Sequence, residues 1–406
     1  MKPTTSKISS FRQLIELIPT HLTKKLAKKH GVDKQARTFS PWSHVVTLCY
    51  AQFAHSLSLN DICDGLRNHE GELNKIRGVT PPSKNGLSHA NRTRNATMAK
   101  DLFWGVLDHL RKLSPGFAGK NYNGFPRRFK KSINVLDSST IQLVANCMGW
   151  AQHRRSKAAA KLHLNLDLQS FLPKIAIVDR AKDNDAVRAR ELCANIKAGE
   201  IVIADKAYID FEHLYELDQR DISWVMRAKD NMRYNIVEEL EFTAGTGVEL
   251  NCIIELENTA SQDKYPKSMR LVRAYVEVKG EMKLMTFFSN NLEWAPTSIA
   301  ELYKSRWAIE VFFKQLKQTL QLGDFFGHSA NAIQWQVWTA LLVYVLLRYM
   351  AFISKWEHSF KRAYTMVRAI LWSKIDVFKT MLSYGTANDP PAIKTAPDQA
   401  YLPGFV

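Results

Sequence analysis

The sequence is poor in cysteine, and no two of its cysteines have the spacing of a metal-binding pair. The five cysteines are odd in number and scattered over 406 residues, which argues against a disulfide framework and a zinc ribbon. This usage is typical of a protein in a reducing cytosol. We expect small, buried apolar side chains at all five positions: Cys49, Cys63, Cys147, Cys193 and Cys252.

Signals for secretion and for membrane insertion are also lacking. Residues 1–36 are polar and basic throughout, unlike a signal peptide. Residues 337–353 are almost continuously apolar, but this stretch is short for a membrane span and Arg348 interrupts it. The sequence therefore predicts a cytoplasmic protein without a membrane partner, in which residues 337–353 form a helix buried in a large core.

Negative charge is scarce relative to positive charge. The chain has 39 Asp and Glu residues against 56 Lys and Arg residues, a net charge of +17. A soluble protein this basic usually binds a polyanion, most often nucleic acid, although ribosome-bound and membrane-surface proteins are alternatives. Since 46% of the residues are hydrophobic, the chain can also bury a large core, and its length allows two or three domains.

Residues 1–115 predict an all-helical N-terminal domain that binds DNA. A helix beginning near Leu57, a turn with Gly78, and a polar helix capped by Ser83 together suggest a helix-turn-helix. The alternative is an ordinary polar helix of a bundle. In the first interpretation, Asn and Arg side chains of the second helix read base edges in the major groove. The candidate recognition residues are Lys84, Asn85, His89, Asn91, Arg92 and Arg94.

Beyond residue 131 the pattern changes to that of an α/β fold. Short apolar runs alternate with helical segments, and residues rich in Gly, Asn and basic side chains precede them. A block of alternating strands then interrupts this pattern. The predicted organisation is a linker at 116–131, a first core part at 132–229, a β-rich insertion at 230–296, a second core part at 297–385 and a tail at 386–406.

Two aspartates occupy the ends of predicted strands. Asp137 ends the apolar run that begins at Ile133, and Asp205 ends the run that begins at Ile201. Carboxylates at the carboxyl ends of adjacent strands can meet in space and would repel unless a cation lies between them. Two such ions can activate the attacking oxygen and stabilise the leaving oxygen in phosphodiester chemistry. The alternative for each aspartate is a turn or cap residue.

A predicted helix over residues 297–320, with Thr297 as its N-cap, carries an unusual face. At about 100° per residue, Glu310 projects on the same side as Tyr303, Arg306 and Lys317. A carboxylate among cations and a phenol suits a metal ligand surrounded by phosphate-binding groups. The alternative is a surface helix with a local pair between Arg306 and Glu310.

These residues resemble a known family. The spacing Tyr303, Arg306, Glu310, Lys317 matches, at all four positions, the Y-(2)-R-(3)-E-(6)-K signature of DDE transposases of the insertion-sequence-4 family. Neighbouring segments are similar too, namely LDSST at Asp137, KLHLNLDL at Lys161, ADKAYID at Asp205 and FFG before His328. The resemblance extends over nearly the whole chain.

The resemblance implies a ribonuclease-H-like core, interrupted by the β-rich insertion, with Asp137, Asp205 and Glu310 as catalytic metal ligands. Mg²⁺ or Mn²⁺, two ions per site, would support hydrolysis at the terminal inverted repeats of an insertion sequence and joining to target DNA. Tyr303, Arg306 and Lys317 would hold DNA phosphates.

Members of the family excise through a hairpinned DNA end with a flipped base. Trp307 and Trp294 are the candidates here for stacking on that base, and core packing is the alternative for both. The resemblance also implies double-stranded DNA as partner, a homodimer on paired ends, and a nucleoid-associated protein of a prokaryotic cytoplasm. The candidate recognition residues would read the terminal repeats.

Two other hypotheses share parts of this evidence. A domesticated DNA-binding regulator would keep the basic surfaces and lose at least one carboxylate, whereas all three are present. A stand-alone metal-dependent nuclease would share the metal site but would neither recognise inverted repeats nor join ends.

Overall fold

The computed structural model describes residues 4–34, 36, 38–119, 125–143, 152–154, 157–180, 185–278, 280–322, 327 and 329–385. The chain divides into two compact units. The first takes its described residues from 1–119, 140–160 and 313–397. The second takes its described residues from 120–139 and 161–312. The predicted tail at 386–406, Cys147, and the Phe-Phe pair before Gly327 lie outside the described residues.

Short 3-10 turns connect some of the described helices and strands. The described helices are α1 Ser10–Ile15, α2 Thr20–Lys29, α3 Pro41–Ala54, α4 Leu59–Asn68, α5 Glu70–Asn74, α6 Lys84–Thr93, α7 Thr97–Leu113, α8 Asp185–Leu192, α9 Phe211–Gln219, α10 Thr259–Gln262, α11 Pro296–Lys304, α12 Trp307–Lys314, α13 Ala330–Ile353, α14 Phe360–Ala369 and α15 Val377–Gly385. The described strands are β1 Ile133–Leu143, β2 Gln152–Arg154, β3 Lys157–Asp167, β4 Leu172–Arg180, β5 Ile201–Ala204, β6 Ser223–Arg227, β7 Tyr234–Glu239, β8 Val248–Leu256, β9 Met269–Val278 and β10 Glu281–Ser289.

The first unit is helical, and its centre is α13. This helix is apolar on all sides because α3, α6, α7 and α14 all pack against it. It is the one described helix whose length and composition could span a membrane, and 78% of its most apolar window is buried inside the protein. That burial agrees with the predicted core helix.

The domain boundaries of the structure differ from those drawn on the sequence. Residues after Phe312 belong with the N-terminal helices and not with the α/β core, because α13 packs among α3, α6 and α7. The sequence pattern places α13 after the Glu310 segment but carries no information about which unit covers its apolar surface.

The second unit is built on a mixed sheet with the order β3-β1-β5-β6-β10-β9-β8-β7, and β4 pairs with β3. β1, β5 and β6 lie side by side and are parallel. The β-rich insertion forms β7 to β10, an antiparallel extension that joins the sheet where β10 pairs with β6. The predicted insertion therefore lengthens the same sheet.

Two local predictions need correction. β1 continues to Leu143, so Asp137 lies within this strand and not at its end. The predicted helix over 297–320 is interrupted: α11 ends at Lys304, a turn at Ser305 and Arg306 follows, and α12 begins at Trp307. The Ser305 hydroxyl donates to the carbonyl of Glu301 at 2.9 Å, a back-bond that disturbs the helix there.

The helix ends also test the predicted caps. Ser83 caps α6 as expected, because its hydroxyl accepts the backbone N–H of Gly86. Thr297 does not cap α11: Ala295 is the N-cap residue and Pro296 takes the first helical position, where its missing N–H costs nothing. The four described cysteines are free and buried, as predicted.

Candidate active site

The sheet places Asp137 and Asp205 next to each other. Leu136 of β1 pairs with Ala204, the last residue of β5, in parallel register, so Asp137 within β1 lies next to Asp205, which directly follows β5. Residues that alternate along a strand point to opposite faces, which gives both aspartates the same face. The structure thus brings together the first two predicted carboxylates.

Backbone N–H groups fix one oxygen of each aspartate. The Ser138 N–H donates to Asp137 Oδ1 at 2.8 Å, and the Lys206 N–H donates to Asp205 Oδ1 at 2.7 Å. Asp205 Oδ1 also accepts the Tyr303 hydroxyl at 3.1 Å. Tyr303 comes from α11, and its ring packs at 4.7 Å against that of Phe287. The first residue of the Tyr-Arg-Glu-Lys set therefore contacts the second aspartate.

Arg306 joins the first aspartate to the glutamate. Its Nη1 donates to Asp137 Oδ2 at 2.8 Å and its Nη2 donates to Glu310 Oε1 at 2.9 Å. Only 10% of the Arg306 side chain is exposed, against 49% for Glu310. The predicted local pair between Arg306 and Glu310 is present, but it is part of a larger bridge that reaches a different strand.

Burial and neighbouring charges shift the pKa values of Asp137 and Arg306. Burial raises the pKa of Asp137 to about 6, and the charges of Glu310 and Asp205 add to that rise, although Arg306 and the Ser138 N–H oppose it. Burial alone would lower the pKa of Arg306, but its carboxylate neighbours, Asp137 foremost, hold that pKa above its usual value. The charges of all three carboxylates therefore act on one buried guanidinium.

The donor set fits a hard divalent cation. Carboxylate oxygens are the ligands preferred by Mg²⁺ and Mn²⁺, and such an ion would offset the cost of burying the charge of Asp137. Within the described ranges, no three Asp, Glu, His or Cys side chains stand together as a ready-made metal site. The Arg306 guanidinium stands between Asp137 and Glu310 instead.

Lys317 lies in the first unit, in a π-helical segment, Gln315–Thr319, that follows α12. Its Nζ donates to the carbonyl of Thr140 at 2.6 Å. Thr140 is three residues beyond Asp137 in the sequence. Single π-helical turns inserted after an α-helix occur frequently at functional sites.

The two candidate stacking residues are both half-buried. Trp307 begins α12, directly after Arg306. Trp294 packs edge-on against Phe129 at 5.5 Å, so part of its ring is engaged within the second unit. The structure therefore leaves Trp307 next to the acidic cluster along the chain and gives Trp294 a packing role.

The candidate recognition residues separate into two groups. Lys84, Asn85, His89 and Arg92 are exposed on α6. Asn91 is only 2% exposed, and its Oδ1 accepts from His44 Nε2 at 2.8 Å. The Arg94 guanidinium donates to the carbonyls of Phe39 and Ser40.

Asn91 and Arg94 are thus removed from the predicted recognition set, because their polar groups serve the helical unit. The helical period explains the split: Leu87, Ala90 and Asn91 share the inward stripe of α6. The polar character of Asn91 concealed this from a pattern based on side-chain type.

Comparisons with known proteins bear on this site. A family model described as "Transposase DDE domain" matches residues 128–346, more than half of the chain. A second model, a domain of unknown function, matches residues 6–77.

Individual relatives are similar over various lengths. The chain is 28% identical over 224 residues to the probable transposase for insertion sequence element IS5377 of Geobacillus stearothermophilus, a match that covers 55% of this chain and 58% of the relative. It is 25% identical over 296 residues to the putative transposase y4zB of Sinorhizobium fredii, covering 73% and 79%. It is 22% identical over 386 residues to the transposase for insertion sequence element IS231E of Bacillus thuringiensis, covering 82% and 78%. The match thus spans less than two thirds of the Geobacillus protein.

Among solved structures, a piggyBac transposase synaptic complex with hairpin DNA aligns with 93% of this chain and 80% of its own, at 10% identity and a TM-score of 0.39. A similarity this weak does not establish a shared fold.

Proposed function

This chain belongs to the family of proteins with a transposase DDE domain, and on that premise we propose that it is the cut-and-paste transposase of an insertion sequence. It binds the terminal inverted repeats, cleaves the DNA at them and joins the freed ends to target DNA. The observation that carries this proposal is the bridge from Arg306 to both Asp137 and Glu310, with Tyr303 on Asp205. Two residues of the Tyr-Arg-Glu-Lys spacing, Tyr303 and Arg306, therefore contact aspartates that lie far from them in the sequence.

The catalytic core is of the ribonuclease-H type in this proposal. Its support is the parallel set β1, β5 and β6, in which Asp137 lies on β1 and Asp205 directly follows the neighbouring strand β5. The β-rich insertion enters after β6 and returns the chain to α11 and Glu310. The core is thereby interrupted without separating its carboxylates.

Asp137, Asp205 and Glu310 hold two divalent cations, Mg²⁺ or Mn²⁺. Such ions supply an activated water or 3′-hydroxyl and stabilise the departing oxygen of the phosphodiester. Asp137 and Asp205 are oriented by the backbone N–H groups of Ser138 and Lys206. Glu310 is more exposed and lies on α12, which begins after the break in the helix.

Tyr303, Arg306 and Lys317 hold the phosphates of the cleaved end. In the structure, Arg306 balances the carboxylates. When divalent cations take over that balance, the guanidinium becomes available to grip a phosphate with two parallel hydrogen bonds. Arg306 therefore has two successive roles, first as counter-ion of the carboxylates and then as ligand of the DNA.

The finer assignment is to the insertion-sequence-4 family, on the Tyr303, Arg306, Glu310 and Lys317 spacing. With it come excision through a hairpinned end and a homodimer on paired ends, in the cytoplasm of a prokaryote. Trp307 is the better candidate to stack on a flipped base, since Trp294 is engaged with Phe129.

Recognition of the repeats is assigned to the exposed side of α6. Lys84 and Arg92 can contact phosphates or guanine, and Asn85 can read adenine. His89 completes this exposed set. The net charge of +17 supplies the non-specific attraction to DNA on which such reading depends.

The test is a nicking assay on a labelled duplex that carries the inverted repeats flanking this gene, with and without Mg²⁺. We expect metal-dependent nicking at the repeat boundary by the native chain, and its loss by about 1,000-fold or more in Glu310→Ala, with repeat binding retained. Asp137→Ala and Asp205→Ala should behave alike. Specific binding without any cleavage would indicate a regulator, and cleavage without preference for the repeats would indicate a nuclease.

A further inference from the structure

The π-helical segment that carries Lys317 is held by two side chains from the end of α3. His55 Nε2 lies 2.8 Å from the carbonyl oxygen of Thr319, the last residue of that segment. Gln52 Nε2 donates to the carbonyl of Leu320, the next residue. The last carbonyls of a helix have no partner within it, so both contacts satisfy groups at this helix end. Lys317 lies two residues before Thr319, in the same turn.

Arg368 of α14 fixes which nitrogen of the His55 ring carries the proton. Arg368 Nη1 lies 3.0 Å from His55 Nδ1. Because a guanidinium can only donate, Nδ1 accepts, and the proton of the neutral imidazole is on Nε2. Nε2 therefore donates to the Thr319 carbonyl. Tyr364, also on α14, stacks on the imidazole with ring centroids 4.8 Å apart, so the orientation of the ring is fixed as well.

The backbone of His55 has a conformation in which glycine is the usual residue. Its φ is 53°, in the left-handed region, at the C-terminal cap of α3. Glycine adopts this conformation at the lowest cost, and asparagine tolerates it better than most side chains. Residues held in such a conformation cluster at functional sites. What histidine supplies here, and glycine or asparagine would not, is an N–H that reaches the Thr319 carbonyl.

We propose that His55 is a positioning residue for Lys317: oriented by Arg368, its Nε2–H holds the Thr319 carbonyl and thereby the turn that presents the Lys317 ammonium. This inference rests on the proposed function, because it takes Lys317 to be a ligand of DNA phosphate. It also gives the region matched by the domain of unknown function, residues 6–77, a role in the chemistry besides DNA binding. His55 does not itself touch DNA in this role.

The experiment compares His55→Asn with His358→Asn in the full chain. His358 is a matched control because it makes the same pair of contacts: Arg362 Nη1 lies 3.1 Å from its Nδ1, and its Nε2 lies 2.8 Å from the Tyr384 carbonyl. Tyr384 is on α15, which carries none of the proposed catalytic or phosphate-binding residues. The amide of asparagine matches the position of Nδ1 and not that of Nε2, so each variant loses the contact with its carbonyl.

The first measurement is the rate at which an activated ester acetylates Lys317 in the protein alone, followed by mass spectrometry. In His55→Asn we expect this rate to rise by about threefold or more, because the turn opens more often. The second measurement is single-turnover nicking of repeat duplex at saturating Mg²⁺, which should fall by about 10-fold or more because the ammonium is misplaced. His358→Asn should match the native chain in both measurements.

A double-mutant cycle with Lys317→Ala distinguishes positioning from a general structural role. In the Lys317→Ala chain, adding His55→Asn should change the nicking rate by less than about twofold, since the effect of His55 runs through Lys317. Lys317→Arg replaces Lys317→Ala in the cycle if the alanine variant gives no measurable nicking.

His55→Gln separates positioning from stability. The amide of glutamine reaches as far as Nε2, so this variant should regain most of the nicking rate. Glutamine tolerates a positive φ less well than asparagine, so urea denaturation should find His55→Gln the less stable of the two. A nicking rate in His55→Gln below that of His55→Asn would overturn the proposal.

A native rate of His55→Asn in either measurement would also overturn it. The same holds for an equal change in His358→Asn, and for a full loss of nicking when His55→Asn is added to the Lys317 variant, because the effect would then not run through Lys317. If His55→Asn does not fold by circular dichroism, His55→Gly takes its place, since glycine suits a φ of 53° best, and the same outcomes decide.

This test separates the inference from the proposed function. A native chain that never nicks repeat DNA would defeat the transposase assignment. The acetylation comparison among His55→Asn, His55→Gln and His358→Asn needs no DNA, so it would still decide whether His55 positions Lys317.

Discussion

Arg94 and Arg306 are two largely buried arginines whose surroundings drive them in opposite directions. At Arg94, burial lowers the pKa to about 10; the guanidinium donates to the backbone carbonyls of Phe39 and Ser40 and has no carboxylate partner among the described residues. At Arg306, the carboxylates outweigh burial and raise the pKa. The same side chain is a structural clamp in one unit and a counter-ion in the other. The chemical identity of the partner, more than burial, decides whether the pKa of each arginine falls or rises.

Among the variants that test this comparison of two arginines, Arg306→Met should have the largest effect. Nicking should fall by about 100-fold or more, because the variant loses both the counter-ion of the carboxylates and the proposed phosphate grip. Arg306→Lys keeps a point charge that cannot span Asp137 and Glu310 together, so it should restore only part of the rate. Single-turnover nicking at saturating Mg²⁺ measures both. A nicking rate for Arg306→Met within about threefold of the native rate would contradict the proposed role of Arg306 in catalysis.

Arg94→Met should act on stability. Removing the guanidinium leaves the carbonyls of Phe39 and Ser40 without these donors, which should lower the free energy of unfolding by about 1–3 kcal/mol. Urea denaturation measures the change, and the nicking rate per folded molecule should not move. Arg92→Met, two residues away on the exposed side of α6, is the control and should alter stability by less than about 0.5 kcal/mol. A loss of repeat recognition in Arg94→Met at full stability would reverse the comparison.

The smallest effect should be that of Lys84→Ala. If Lys84 contacts one phosphate, its loss should reduce the slope of log affinity against log salt concentration by about 1, with similar weakening on every sequence. Fluorescence anisotropy across a salt series measures this slope. Lys197→Ala, an exposed lysine just before β5, provides the control and should leave the slope unchanged. If the native chain, Lys84→Ala and Lys197→Ala all gave the same salt-dependence slope, α6 would not face the DNA.

The sequence predicts much of the α/β core because its strands are short apolar runs. β5, β6 and β10 lie where alternation and apolar runs indicate strands. The contact between Tyr303 and Asp205, 98 residues apart, was not predicted, because Asp205 was identified at the end of a strand and Tyr303 separately on the face of a helix. Spacing on an ideal helix also suggested one continuous face, yet the turn at Ser305 and Arg306 and the π-helical segment divide it. Such breaks depend on tertiary packing, which the helical periodicity of a sequence does not report.

The burial of polar side chains on β3 was not predicted, although the sequence of this strand carries a signal for it. Lys161, His163, Asn165 and Asp167 alternate with leucines, and alternation was taken to indicate a half-buried strand. In the structure His163 and Asn165 are as buried as the leucines, because both faces of β3 are covered. One member of this polar row, Asn165, donates from its Nδ2 to the Leu192 carbonyl at 2.8 Å. A sequence cannot show which distant acceptors make such a row tolerable.

The loop that follows the edge strand β7 is a suitable site for attaching a fluorescent label. β7 is the last strand of the sheet order, and the residues that follow it, 241–246, are exposed. Since Cys49, Cys63, Cys193 and Cys252 are all buried, a cysteine at Ala244 would be the accessible thiol of the described chain. A dye attached there could report, by energy transfer to a labelled duplex, when and in what order DNA arrives at the protein.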